Sequence, residues 1–165
     1  MEKNIILKKE NIEFIVRRIA YQIYETFVDE NEIVIAGIKN SGFIFANKIA
    51  KVLQEISPIE VKMCEVEVNK QKPWEDIRIS LSEAEYTDKG IVLVDDVMNS
   101  GATLIYGVRH FLNVPIKKFK TAVLIDRNHK KYPVKADFKG ISLSTSSMEH
   151  IQVVFDKDDE YAYLS

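Results

Sequence analysis

At 165 residues, 46% of them apolar and 29% charged, the chain has the length and composition of one soluble globular domain with a core of its own. Its 23 basic and 25 acidic residues nearly cancel, so bulk charge does not steer it toward nucleic acid or membranes. The single cysteine, Cys64, excludes an internal disulfide, and no run of about 18 apolar residues occurs; the expectation is a cytoplasmic chain with no leader and no membrane span.

In chain order, Ile12, Ile15, Val16, Ile19, Ala20, Ile23 and Phe27 are spaced for one face of a helix over 10–28. "EIVIAGI" (32–38) is a β-branched run suited to a buried strand, and "NSGFIFANKIAKVLQEI" (40–56) reads as a helix of about four turns. "IEVKMCEVEV" (59–68) alternates as a strand does. Residues 69–89 are polar, contain Pro73 and lack a period; they predict a loop or weak hairpin that serves as a lid. "GIVLVDD" (90–96) is a strand and "GATLIYGVRHFL" (101–112) a helix; "FKTAVLID", "ADFKGISL", "HIQVVFD" and "EYAYL" supply later strands, with "RNHKKYP" an exposed basic turn.

Strands alternating with helices predict a single α/β domain over 1–165, with a central, mostly parallel sheet flanked by helices and a small hood or lid segment at about 69–89. In such sheets ligands bind outside the carboxyl ends of the strands. "GIKNSG" (37–42) and "DDVMNSGAT" (95–103) fall there.

Asp95 and Asp96 side by side at a sheet rim repel each other unless a cation or hydrogen-bond donors compensate. A hydrated Mg²⁺ is one candidate and a sugar cis-diol the other. The loop Asn99, Ser100, Gly101, Ala102, Thr103 sets hydroxyls around a glycine at a helix start, the pattern of an anion site. Diol or cation at the acids and phosphate at the loop describe a phosphorylated ribose. An acidic pair that merely caps the next helix, or holds Mg²⁺ in a phosphoacceptor site, is the plainer alternative.

Residues 91–104 resemble the signature of the type I phosphoribosyltransferases, which bind 5-phosphoribosyl 1-pyrophosphate. The resemblance implies that Asp95 and Asp96 act at the ribose, as catalytic residues and as ligands of Mg²⁺ directly or through water, and that Asn99, Ser100, Gly101, Ala102 and Thr103 take the 5-phosphate. "GIKNSG" is similar to the family's pyrophosphate loop, here Lys39, Asn40, Ser41 and Gly42. The run "AVLIDRNHKKYPVKADFKG" (122–140) resembles the pyrimidine-operon regulators with uracil phosphoribosyltransferase activity. That implies a nucleobase acceptor, uracil, with base contacts near Arg127 and Ile151, and a homo-oligomer, dimer or tetramer.

The pattern departs from its relatives at three places. Purine enzymes carry an aspartate at the position of Asn99, and a neutral amide is no general base. The pyrimidine subgroup carries arginines at the positions of Ser41 and Ala102; the lid's Lys70, Lys72 and Arg78 are the candidate replacements. Arg17, Arg18, Lys117, Lys118, Lys120, Arg127, Lys130 and Lys131 support a second reading, an RNA-binding regulator whose nucleotide site is a sensor. His110, His129 and His150 lie too far apart in sequence to suggest a nucleophilic triad, and no zinc-ligand spacing occurs.

Overall fold

The apolar runs become the inner strands of a six-stranded sheet. The computed structural model describes residues 2–165 and has, in order, β1 (Asn4–Leu7), α1 (Lys9–Thr26), β2 (Glu32–Ile38), α2 (Ser41–Ile56), β3 (Glu60–Glu67), β4 (Arg78–Ile79), α3 (Glu83–Tyr86), β5 (Gly90–Met98), α4 (Ala102–Phe111), β6 (Lys118–Asp126), β7 (Phe138–Ser142), β8 (Ile151–Phe155) and β9 (Glu160–Leu164). The large sheet has the order β4-β3-β2-β5-β6-β7; only β4 is antiparallel to its neighbour. β2 and β5 are buried on both faces, which is why they read as continuous β-branched runs rather than alternating ones.

Two cores sandwich this sheet. On one face Ile12, Ile15, Val16, Ile19 and Ile23 of α1 meet Phe45, Ile49 and Leu53 of α2 over Val92 and Val94. On the other, Leu104 and Phe111 of α4 pack on Ile91 and Leu93, with Tyr86 edge-on to Phe111 at 5.1 Å. Each buried aliphatic side chain contributes about 1.5–3 kcal/mol. α2 follows β2 on the first face and α4 follows β5 on the second. The adjacent carboxyl ends of β2 and β5 are therefore the topological switch point, where a crevice opens.

Two features differ from the expectations. No local pattern announces β1, whose register is Asn4↔Leu164 and Ile5↔Tyr163 at the far end of the chain. With β8 it completes a three-stranded antiparallel hood, β1-β9-β8, whose Leu7 and Ala162 join the first core. The segment 69–89 also divides. β4 returns beside β3, and α3 is closed by a capping box in which the Ser82 N–H donates to Glu85 Oε2 at 2.9 Å, with Tyr86 buried. Residues 69–77 form neither strand nor helix, with Pro73 buried and Ile77 packed on the second core. No helix among the described residues is long and apolar enough to cross a membrane.

Candidate functional site

β5 leaves the core at the acidic pair. Asp95 is 2% exposed; its Oδ1 accepts the Asp96 N–H at 2.8 Å, and Asp96 Oδ1 accepts the Val97 N–H at 2.8 Å. Neither carboxylate caps α4, so the plainer reading of the pair as a helix cap does not describe it. No buried side-chain oxygen among the described residues lacks a partner, so Asp95 Oδ2, which accepts no hydrogen bond, opens to the surrounding space. That space is a cavity of about 190 Å³ lined by Lys70, Asp95 and the run from Val97 to Leu104. Burial pushes the Asp95 carboxyl well above the usual carboxylate range; the Asp96 charge adds to this, and the Lys70 ammonium, with Nζ 3.8 Å from Oδ1, opposes it.

The phosphate-loop residues line the same cavity. Gly101 adopts φ 88° and ψ −1°, a left-handed conformation that favours glycine, and starts α4. Ser100 Oγ accepts the Ala102 N–H at 3.2 Å, while Ser100 O accepts from the Lys131 and Tyr132 N–H groups at 2.8 and 3.3 Å, which brace the loop from behind. The first-turn N–H groups of α4 have no intrahelical acceptor, and the helix dipole adds positive potential, so the loop is built for an anion.

The second loop meets the first at Gly42. A Cβ there would stand 3.0 Å from Asp95 Oδ1 and 3.2 Å from Asp95 Cα, so glycine lets the first turn of α2 rest on the acidic strand end. Asn40 has φ 74° and ψ −126°, a backbone conformation that L side chains rarely adopt, of the kind found where a loop is held for function. The Lys39 N–H donates to Val66 O at 2.8 Å, and Lys39 Nζ lies 3.7 Å from Glu67. Lys39, Asn40, Ser41 and Gly42 thus form the turn from β2 into α2, which meets the acidic strand end at Gly42.

On the other side lies Arg127, only 7% exposed. Its Nε and Nη2 donate to Thr145 Oγ1 at 2.9 and 2.8 Å, Nη2 also reaches Ser146 O and Glu149 O at 3.2 and 2.7 Å, and Nη1 donates to Asn99 Oδ1 at 2.8 Å. The guanidinium therefore ties the phosphate loop to the 145–149 turn. Ile151 follows that turn, half-buried, paired with Leu164 in the hood. Thr145 and Ser146 have no counterpart in the expectations, and the hydroxyl run "STSS" (144–147) before the last hairpin was the available signal; Glu149 falls in the stretch 148–151 expected near the base.

Elsewhere, the His129 ring bonds Thr145 O at 2.7 Å, and no group of three His, Cys, Asp or Glu among the described residues is placed to hold a metal. Lys117 and Lys118 are engaged at the start of β6, with Glu30 and Thr26 O, whereas Lys130 and Lys131 lie past its end. A larger groove of about 610 Å³ between α1 and α2 mixes apolar residues with both signs of charge and, although the first turn of α1 lines it, has no buried carboxyl facing it. The smaller cavity has a buried carboxyl beside a helix start.

Comparison with known proteins agrees. Residues 3–160 match the family described as the phosphoribosyl transferase domain. The chain is 29% identical over 171 residues to the bifunctional protein PyrR of Streptococcus agalactiae serotype Ia, covering 100% of this chain and 97% of that one. It is 32% identical over 150 residues to the bifunctional protein PyrR of Streptococcus sanguinis, covering 87% and 86%. In fold it is similar to the hypoxanthine phosphoribosyltransferase of Trypanosoma cruzi, with TM-score 0.76, 18% identity and 96% and 95% coverage. The hypoxanthine-guanine phosphoribosyltransferase of Bacillus anthracis gives TM-score 0.74, 23% identity and 87% and 83% coverage. With one family spanning nearly every residue and both loops and acids assembled at the switch point, the chain belongs to the phosphoribosyl transferase domain family and is a pentosyltransferase acting with phosphoribosyl pyrophosphate.

Proposed function

We propose that the chain transfers the phosphoribosyl group of phosphoribosyl pyrophosphate to uracil. The observation that carries this reading is the shared cavity, in which a buried carboxyl, a helix-start loop and the Lys70 ammonium surround one space. It suits a ribose with a phosphate at one end and an anionic leaving group at the other. The free oxygens of Asp95 and Asp96 take the ribose hydroxyls, Asn99 to Thr103 take the 5-phosphate, and Lys39 to Gly42 take the pyrophosphate. Lys70, carried on the loop 69–77, supplies a cation to a site that has Ser41 and Ala102 where the pyrimidine subgroup has arginines.

N1 of uracil forms the bond to C1 of the ribose. The C1–O bond breaks with its electron pair leaving on pyrophosphate, and the N1 proton passes to solvent. Positive charge developing on the ribose ring lies beside Asp95 and Asp96, so electrostatics and positioning supply the rate. Two open carboxylate oxygens without an all-protein cage fit a hydrated Mg²⁺ that arrives with the substrate. Asp95 and Asp96 would hold it, through water, and when bound it neutralises charge on the leaving group. Closure of 69–77 excludes water from the activated sugar.

Uracil is favoured over a purine by the neutral amide of Asn99, by the resemblance at 122–140 and by the PyrR relatives. The test is a nucleobase panel scored for pyrophosphate release with phosphoribosyl pyrophosphate and Mg²⁺. The expected result is turnover of uracil with at least a tenfold preference over hypoxanthine, about 1.4 kcal/mol. Equal activity with hypoxanthine or guanine overturns the uracil assignment. Silence with every base beside tight phosphoribosyl pyrophosphate binding favours a nucleotide sensor. The same resemblance carries an RNA-binding role, tested by salt-dependent filter binding to the chain's own operon leader.

A further inference from the structure

A separate cavity, of about 280 Å³, lies between the loop 69–77 and the far end of α4. Trp74 and Asp76 stand on its loop wall, and Tyr106, Arg109, His110 and Asn113 on the opposite one. Trp74 is the only tryptophan of the chain, and it leaves 59% of its surface exposed beside this cavity. The Arg109 guanidinium is set over the Tyr106 ring, with Cζ 5.6 Å from the centroid. Asp76 and Arg109 line the same space, yet neither forms an ion pair with any described residue. One wall thus offers an acid, the other a base, and an aromatic plate stands between solvent and both.

Each group has a chemical counterpart. A guanidinium already seated on an aromatic ring binds phosphate oxygens through paired N–H donors. An exposed indole stacks on any nucleobase. A carboxylate accepts from hydroxyl or ring N–H groups and repels a second anion. We propose that this cavity is a regulatory site for a nucleoside monophosphate, with its phosphate on Arg109, its base on Trp74 and its O–H or N–H donors toward Asp76. Binding there does not depend on phosphoribosyl transfer; its regulatory effect rests on that reading, whose product is a molecule of this class. The loop joins this cavity to the acidic pair. Asn69 Oδ1 accepts the Gln71 and Lys72 N–H groups at 3.0 and 3.2 Å, the Glu75 N–H donates to Lys72 O at 3.0 Å, and Lys72 Nζ lies 3.8 Å from Glu75 Oε1. Lys70, 3.8 Å from Asp95, and Trp74 therefore belong to one knitted piece of chain. A ligand that bridges Trp74 to Arg109 pins this piece against α4 with Lys70 held on Asp95, and so opposes closure over the substrate.

Trp74 fluorescence reads the site directly, in the full chain with phosphoribosyl pyrophosphate and Mg²⁺ in excess and no base present. Uridine 5′-monophosphate quenches it saturably, and uridine or inorganic phosphate alone binds at least tenfold more weakly. Arg109→Gln weakens the nucleotide at least tenfold while phosphoribosyl pyrophosphate affinity, by calorimetry, stays within twofold of wild type. In turnover of uracil, the nucleotide lowers wild-type kcat at saturating phosphoribosyl pyrophosphate at least threefold, and Arg109→Gln removes the effect. No quench, or an equal quench in wild type and Arg109→Gln, overturns the site. Inhibition that only raises KM for phosphoribosyl pyrophosphate and survives in Arg109→Gln is product in the transfer site, and overturns the regulation. A quench lost in Arg109→Gln, in a chain that binds no phosphoribosyl pyrophosphate, upholds the site and removes the transfer reading.

Discussion

Gly101→Ala tests the phosphate loop with two separable costs. At φ 88° an L side chain is strained by about 1–2 kcal/mol. The new Cβ would also stand 2.5 Å from Val134 Cγ1. Val134 cannot retreat freely, because its N–H is bonded to Tyr132 O at 2.8 Å and the preceding Lys131 and Tyr132 N–H groups hold Ser100 O. Overpacking of this kind costs about 1–3 kcal/mol. The sum, about 2–5 kcal/mol, is a large share of the ~5–15 kcal/mol typical of a domain and lowers Tm by roughly 5–20 °C. Val134→Ala added to Gly101→Ala removes the collision and leaves the backbone strain, so the double variant recovers about 1–3 kcal/mol relative to the sum of the singles. Urea unfolding of the four proteins gives this coupling, and calorimetric titration with ribose 5-phosphate gives the functional loss, expected to exceed tenfold in Gly101→Ala. A single variant within 0.5 kcal/mol of wild type, roughly the noise of such cycles, or a double variant with no recovery, would refute the reasoning.

The acidic pair gives a second prediction. Asp95→Asn with Asp96→Asn should abolish phosphoribosyl pyrophosphate binding while leaving the unfolding midpoint equal or higher, because burial and mutual repulsion already disfavour the Asp95 charge; retained binding in titration calorimetry would sink the site. A third concerns pH. Burial holds the His110 imidazole below its ordinary 6.5, with Glu83 opposing and Arg109 assisting, so the unfolded chain binds more protons there and stability should fall as pH drops below about 6.5. His110→Gln should flatten that part of a Tm-against-pH curve; an unchanged slope assigns it to other groups.

The buried strands were legible because β2 and β5 are covered on both faces and so must be apolar at successive positions, as "VIAGI" and "IVLV" are. The acids and the loop after them stood out for a chemical reason: paired carboxylates at a buried strand end are costly unless something compensates them, and a glycine before a helix marks a turn that other residues adopt only under strain. What long-range pairing decides was not. β1 is a strand only because β9 lies beside it. Arg127 was expected at the base, and nothing local to "DRNHK" shows that its donors go to Thr145, Ser146, Glu149 and Asn99, all neutral groups distant in sequence. Lys70 stood out from Lys72 only when the fold carried it to Asp95; Lys72 pairs with Glu75 instead.

The hood also sets a schedule for the nascent chain. Its middle strand is β9, so β1 finds its hydrogen-bonding partner only after residues 160–164 have been made. At roughly 5–20 residues per second that is a wait on the order of ten to thirty seconds. Throughout it Asn4 to Leu7 is an unpaired edge, while α1, β2, α2 and β3 are already available to collapse together. Ile151 and the 145–149 turn are then late arrivals on a phosphate loop that has formed without them. During synthesis, the half of the site proposed to hold the sugar precedes the half proposed to face the base, and a holding chaperone acting on β1 would delay only the second.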